Sequence, residues 1–169
     1  MTKLRLFLIM VVVIFLANHS SVGAAGEVLV IPALPSDLSG IRVIKPDPAV
    51  PKKIAELLGE WEGDWITRPS RFDLPQKVRR AKMIVYEVSA TKIKYLWGVS
   101  FNPVTKAEAR WSKYASDLKE SGGKNIFYHE GSYGFGQVRT TEFYLENGVL
   151  QGAVGSASIE MRRVGRGAF

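Results

Sequence analysis

In the stretch GEWEGDW, Gly59 to Trp65, acids occupy every even position and a glycine or tryptophan every odd one. Glu60, Glu62 and Asp64 have the residue types for general acid–base work or for oxygen ligation of a cation. On a strand, alternate residues face opposite ways, so the three carboxylates share the wet face while Trp61 and Trp65 share the buried one. Catalytic carboxyls need a desolvated setting that separates their pKa values, so the acidic strip reads as a solubilising edge. His129, in FYHEGSYGFG, is one of two histidines. It has no G-x-S-x-G elbow and no cluster of further ligands beside it, so a partly exposed structural histidine is expected in place of a general base or metal ligand. Gly131, Gly134 and Gly136 run in the order G-x-x-G-x-G between strand-like segments. Dinucleotide-binding loops use G-x-G-x-x-G between a strand and a helix, so phosphate binding is not expected here. Two readings of this segment stay open: a loop at the mouth of a binding site that offers Tyr133 and Phe135, or glycines that simply permit tight turns and close packing. No metal, no cofactor and no enzymatic reaction are expected.

The elements that would position these residues are mostly strands. PKKIAELL, from Pro51 to Leu58, puts Ile54, Leu57 and Leu58 at i, i+3 and i+4, and proline suits a first helical turn. A short amphipathic helix is expected there, stopped by Gly59. Two turns cannot stand alone in water, so the helix must pack on the domain. Beyond it, apolar residues recur with period two: Ile84, Tyr86 and Val88; Ile93, Tyr95, Trp97 and Val99; Ala107, Ala109 and Trp111. Four more short runs, NIFYHEG, VRTTEFYLE, GVLQGAV and ASIEMRRV, follow. Asn147-Gly148 is a strong hairpin signal, because a type I′ turn needs positive φ at both central residues; SATK, NPVTK and ESGGK are further connections. The pattern predicts an all-β fold, an antiparallel up-and-down barrel of about eight strands with a short helix before the first strand.

A helix leading into a first strand with Gly-x-Trp, a run of antiparallel strands, and an arginine on the last strand resemble the calycin superfamily of lipocalins, fatty-acid-binding proteins and avidin-type barrels. The resemblance spans residues 51 to 164. It implies that a first-strand tryptophan, Trp61 or Trp65, closes one end of the barrel against Arg163, which shares parity with Ile159 and Met161; Arg162 is the alternative. It also implies a ligand-binding or structural barrel. The aromatic set on the inward faces would then line the ligand site, with Tyr95, Trp97, Trp111, Tyr133 and Phe135 as its candidates. A barrel of about eight strands is either filled by side chains or holds one small ligand, and large aromatic residues serve both.

The N-terminus adds a compartment. Lys3 and Arg5, the apolar run Leu6 to Ala17, and NHSSVGAAG have the three parts of a secretory signal peptide, and the run is too short to span a bilayer. Cleavage is expected after Ala24 or Ala25. This divides the chain into a signal peptide (1–25), a proline-rich N-terminal arm or linker (26–52) and a barrel domain (53–165), exported to the periplasm or the extracellular space. With no cysteine in the chain, a lipoprotein anchor, disulfides and thiol chemistry are unavailable. A hydrophobic fraction of 46% and an aromatic one of 11% suffice for one core. Removing Lys3 and Arg5 takes the net charge from +7 to +5, and Lys77, Arg79, Arg80 and Lys82 cluster locally. Two functions are consistent with this. One is an exported, non-enzymatic barrel that binds a small apolar or amphipathic molecule; the other is an envelope structural or interaction domain with a filled barrel, meeting an acidic partner or anionic surface through that basic cluster. Nucleic acid is not an expected partner.

Overall fold

The computed structural model describes residues 29–67, 76–103, 106–133, 137–155 and 157–165. One short helix, α1 (Lys52–Ala55), precedes eight strands: β1 (Gly59–Thr67), β2 (Gln76–Val88), β3 (Lys92–Val99), β4 (Arg110–Ser121), β5 (Lys124–Tyr133), β6 (Gln137–Glu146), β7 (Val149–Val154) and β8 (Ala157–Gly165). Each strand pairs antiparallel with the next, and β8 returns to β1, so the sheet is a closed up-and-down barrel. The fold is thus all-β, a closed antiparallel barrel of eight strands with the short helix ahead of the first strand.

Hairpin chemistry sets this order. Asn147 and Gly148 both have positive φ, 50° and 76°, as do Gly122 and Gly123 at 57° and 75°, which matches the two central positions of a type I′ turn. The helix is shorter than PKKIAELL predicts. After Ala55 the chain bonds i to i−3, Leu57 N–H to Ile54 and Leu58 N–H to Ala55, so the turn tightens and the helix ends. Gly59 is no helix cap; it opens β1 at φ 117°. Ile54, Leu57 and Leu58 are nonetheless all buried and plug the barrel end.

Alternation then defines the interior. Trp61 and Trp65 on β1, Met83 and Val85 on β2, Ile93, Tyr95, Trp97 and Val99 on β3, Phe127 on β5, Phe143 on β6, Leu150 and Val154 on β7, and Ile159 and Met161 on β8 belong to one buried cluster. Two inward faces differ from the sequence expectation. On β2 the inward residues are Met83 and Val85, so Ile84 and Tyr86 face outward; the register shifts between Val85 and Glu87, and this bulge changes the phase so that Val88, opposite Ile93, is inward again. On β4 Trp111 pairs with Gly98, whereas Tyr114 pairs with the inward Tyr95. Trp111 therefore lies on the outer wall, its ring over Gly98, where an added Cβ would come within 2.7 Å of it.

The N-terminal arm covers that wall. Trp111 Nε1 donates to the Pro32 carbonyl at 2.8 Å, and Ile44 N–H donates to the Tyr86 carbonyl at 2.7 Å. The apolar residues that looked like a second inward face are thus buried from outside. Residues 1–28, including the expected signal peptide, lie outside the described residues.

Candidate ligand-binding interior

One end of the barrel is closed. Trp61 Nε1 donates to the Leu57 carbonyl at 2.8 Å. The Arg163 guanidinium stands 4.4 Å from the centroid of the Trp61 ring and donates to the carbonyls of Leu58 and Glu56. Trp61 and Arg163 are cross-strand neighbours, so one pair ties β1, β8 and the helix turn together; a guanidinium on an indole face contributes about 0.5–2 kcal/mol. Burial holds the Arg163 pKa below its usual value. Trp65 sits further up the same face, also buried. Arg162 faces the other way, opposite Glu62.

Behind this plug, on the outside, a groove of about 580 Å³ runs between the helix and the two hairpins ending at Gly123 and Gly148, with Leu57, Trp61 and Leu145 in its lining. Two of its cations, Lys124 and Arg163, are engaged. Lys124 Nζ pairs with Glu146 at 2.8 Å and stands 4.1 Å from the Tyr144 ring centroid, and Arg163 is held as described. This end holds the barrel shut and is separate from the aromatic interior.

Above the plug, the interior is an aromatic wall. Tyr95, Phe127 and Phe143 are fully buried and Trp97 nearly so. Phe127 stacks on Phe143 with centroids 5.4 Å apart, and Trp97 meets Phe143 edge-on at 5.5 Å. His129 stands among these rings, 4.4 Å from Tyr114 and 5.1 Å from Trp97. Its Nδ1 is 3.1 Å from the Tyr95 hydroxyl. Burial, with the nearby positive charge of Arg110, pushes the His129 pKa down to about 4, so the imidazole is neutral at physiological pH. His129 and Tyr95 thus form one buried, hydrogen-bonded polar pair among the rings.

The wall is incomplete along one seam. β4 and β5 share only four residue pairs, Leu118 opposite Phe127 through Ser121 opposite Lys124. Beyond them, Tyr128 N–H donates to Ser116 Oγ at 3.1 Å. The inward side chains of β4, Ser112, Tyr114, Ser116 and Leu118, are all partly exposed, whereas every inward residue of β3 is buried. Tyr114 thus stands between the seam and the His129–Tyr95 pair, and stacks on Tyr95 at 5.6 Å.

The structure sorts the candidate residues as follows. Tyr95 and Trp97 face the interior side by side. Trp111 does not, for the register reason given. The side chain of Tyr133 and the whole of Phe135 lie outside the described residues. The basic cluster is dispersed. Arg79 points into the barrel, where Nε donates to the Ser100 carbonyl at 2.8 Å and Nη2 to that of Glu108 at 3.0 Å. Arg80 pairs with Glu62 and, at 3.3 Å, with Asp64; Lys82 pairs with Glu60 at 2.9 Å. The Lys77 side chain lies outside the described ones. A run that reads as one basic patch is thus split between the two faces of β2, and its outward members oppose the acidic strip of β1. Tyr114, Phe127, His129 and Phe143 were not among the candidates for the wall. Period two extended past Trp111, through Ser112, Tyr114, Ser116 and Leu118, would have found the first. Among the described residues no group of three or more His, Cys, Asp or Glu could hold a metal ion.

No protein-family model and no curated protein matches the chain. Among solved structures, a crystal structure of a mutant of the fluorescent protein UnaG is similar, at 12% identity and a TM-score of 0.41, with 67% of this chain and 99% of that one covered.

Proposed function

We propose that this protein is an exported, non-enzymatic barrel that binds a small apolar or amphipathic molecule in its aromatic interior. The observation that carries this is the wall of Tyr95, Trp97, Phe127 and Phe143 behind a seam whose inward residues are partly exposed. Aromatic surface with a few placed polar groups, here Tyr95, Tyr114 and His129, suits non-covalent capture. The absence of an enzymatic role is supported by the neutral state of His129 and by the outward, ion-paired setting of Glu60, Glu62 and Asp64. Export is supported by the basic, apolar and small-residue succession of residues 3 to 25. The ion pairs of Arg80 and Lys82 weaken a reading in which that cluster docks an acidic partner.

The test is tryptophan emission of the domain from residue 29 onward, titrated separately with fatty acids, flavonoid-like aromatic compounds and short glycans. Saturable quenching or a shift by one class, lost in Trp97→Phe and retained in Trp111→Phe, is the expected result. An unchanged spectrum with all three classes defeats the binding reading.

A further inference from the structure

His129 brings two ring nitrogens into the barrel. One of them, Nδ1, is bonded to the Tyr95 hydroxyl. No described residue hydrogen-bonds the other, Nε2. Among the described residues, no side-chain nitrogen or oxygen sealed from solvent lacks a partner. Nε2 is therefore not sealed: it opens onto the inner space of the barrel, although the residue as a whole is 2% exposed. Strand parity agrees, because His129 pairs with the buried Thr141 and shares its face of β5 with the buried Phe127. A polar atom left unbonded inside an enclosure of rings calls for a partner.

The partner of Nδ1 decides what Nε2 offers. A neutral imidazole carries one N–H and one acceptor nitrogen, and the bond made by one nitrogen sets the state of the other. Between a phenol and an imidazole, the hydroxyl is the stronger donor and the ring nitrogen the stronger acceptor, so Tyr95 O–H is assigned as the donor to Nδ1. The proton of the ring then rests on Nε2. Burial and the positive charge of Arg110 keep the ring neutral, so Nε2 offers an N–H without a charge. Tyr95 is itself held in place: it is fully buried, stacked on Tyr114 and tilted against Phe127 at 5.5 Å. The donor therefore has one direction.

We propose that the His129 Nε2–H orients the ligand, and that the ligand is an uncharged, planar aromatic molecule with a carbonyl or another in-plane acceptor, its rings lying among Trp97, Tyr114 and Phe143. This rests on the reading that the interior binds a small molecule, and it adds the group by which that molecule is recognised. The rings around His129, at 4.4 Å for Tyr114, 5.1 Å for Trp97 and 6.4 Å for Phe143, give apolar contact that any aromatic body can use. One directional donor discriminates, because a ligand without an acceptor leaves the buried N–H unpaired. An ionised group brought to the same point would exchange its hydration for an imidazole and two phenols, which is unfavourable without a countercharge in contact.

Tricycles of nearly one shape test this: fluorene has a methylene bridge, 9-fluorenone a carbonyl at that position, and carbazole an N–H. Their affinities are read from quenching of tryptophan emission in the wild type and in His129→Phe, which keeps a ring and removes the donor. The ratio of fluorenone to fluorene affinity is expected to fall about tenfold in the variant, the size of one hydrogen bond. Fluorene itself should bind unchanged, which also reports that the wall is intact. In the infrared, the fluorenone C=O stretch should move to lower wavenumber on binding to the wild type, a measurement that does not need the variant. Tyr95→Phe frees the imidazole to change tautomer and should raise carbazole relative to fluorenone, a reversal that loss of packing would not produce. Fluorene-9-carboxylate should bind more weakly than fluorenone. An unchanged ratio in His129→Phe, an unshifted carbonyl, a carbazole preference in the wild type, or tighter binding of the carboxylate overturns the assignment and leaves the binding reading standing. If none of the tricycles binds, both fail.

Discussion

At the residue scale, His129 shows how burial redirects chemistry. By type it is the chain's best candidate for acid–base work, yet it is 2% exposed, walled by Tyr95, Trp97 and Tyr114, and neutral. Its pKa is about 4 in the fold against 6.5 for the ordinary side chain. Between those values the unfolded chain binds a proton that the folded chain refuses, so stability rises with pH across this window. The folded state should keep its full stability above about pH 6.5 and lose up to about 3 kcal/mol as pH falls to 4. Denaturant unfolding of the wild type and of His129→Gln at pH 7 and at pH 4.5 checks this; the variant should show a clearly smaller pH difference. Equal differences would assign the acid sensitivity elsewhere. At the same scale, the Trp61–Arg163 pair is one that the resemblance to calycin barrels implies, with parity favouring Arg163 over Arg162: each partner sits on the apolar parity of a strand at one end of the domain.

At the element scale, the strands depend on where backbone must approach backbone. Gly63 lies between the two inward tryptophans, and the sequence allows room there for a bulky neighbour. What fills that room is the main chain of β8, since an added Cβ would overlap the Glu160 carbonyl and the Met161 backbone. A side-chain tip can swing away, but a paired strand cannot. Gly63→Ala is therefore expected to cost about 3 kcal/mol, read as a lowered midpoint in urea, with Gly40→Ala, which meets nothing within 4 Å, unchanged. Near-wild-type stability of Gly63→Ala would show that the β1–β8 closure is looser than drawn. The bulge between Val85 and Glu87 belongs to this scale too. It is why Val88, in phase with Ile84 and Tyr86 by sequence, faces the interior while those two contribute to the outer wall, Tyr86 under the arm.

At the scale of the whole molecule, the barrel is closed but unevenly laced. β1 has nine residue pairs with β2, whereas β4 has four with β5. Local opening follows the places with few buried contacts and unprotected backbone, so the seam is where the interior should communicate with solvent. Residue-resolved hydrogen exchange should show faster exchange for amides of β4 between Arg110 and Asp117 that do not bond to β3 than for the amides joining β1 to β2. Equal protection on both sides of the barrel would argue against a side opening. Aromatic wall and sealed base then follow one another down the axis, an arrangement that belongs to the tertiary structure alone.

The resemblance to calycin barrels implied the pairing of a first-strand tryptophan with Arg163; from the sequence by itself came the all-β class, about eight strands, the hairpin at Asn147-Gly148, a connection at ESGGK, and the inward setting of Trp61, Trp65, Tyr95 and Trp97. Each is a property of a short stretch: side chains alternate, turns need particular φ, and an uninterrupted period of two keeps its phase. The inward or outward setting of Tyr86, Trp111 and Arg79, the neutrality of His129 and the open seam were decided only by the fold. These depend on register between strands, on one bulge that shifts the phase, and on an arm that buries apolar residues from outside, and none of these is written in the local periodicity of any one strand.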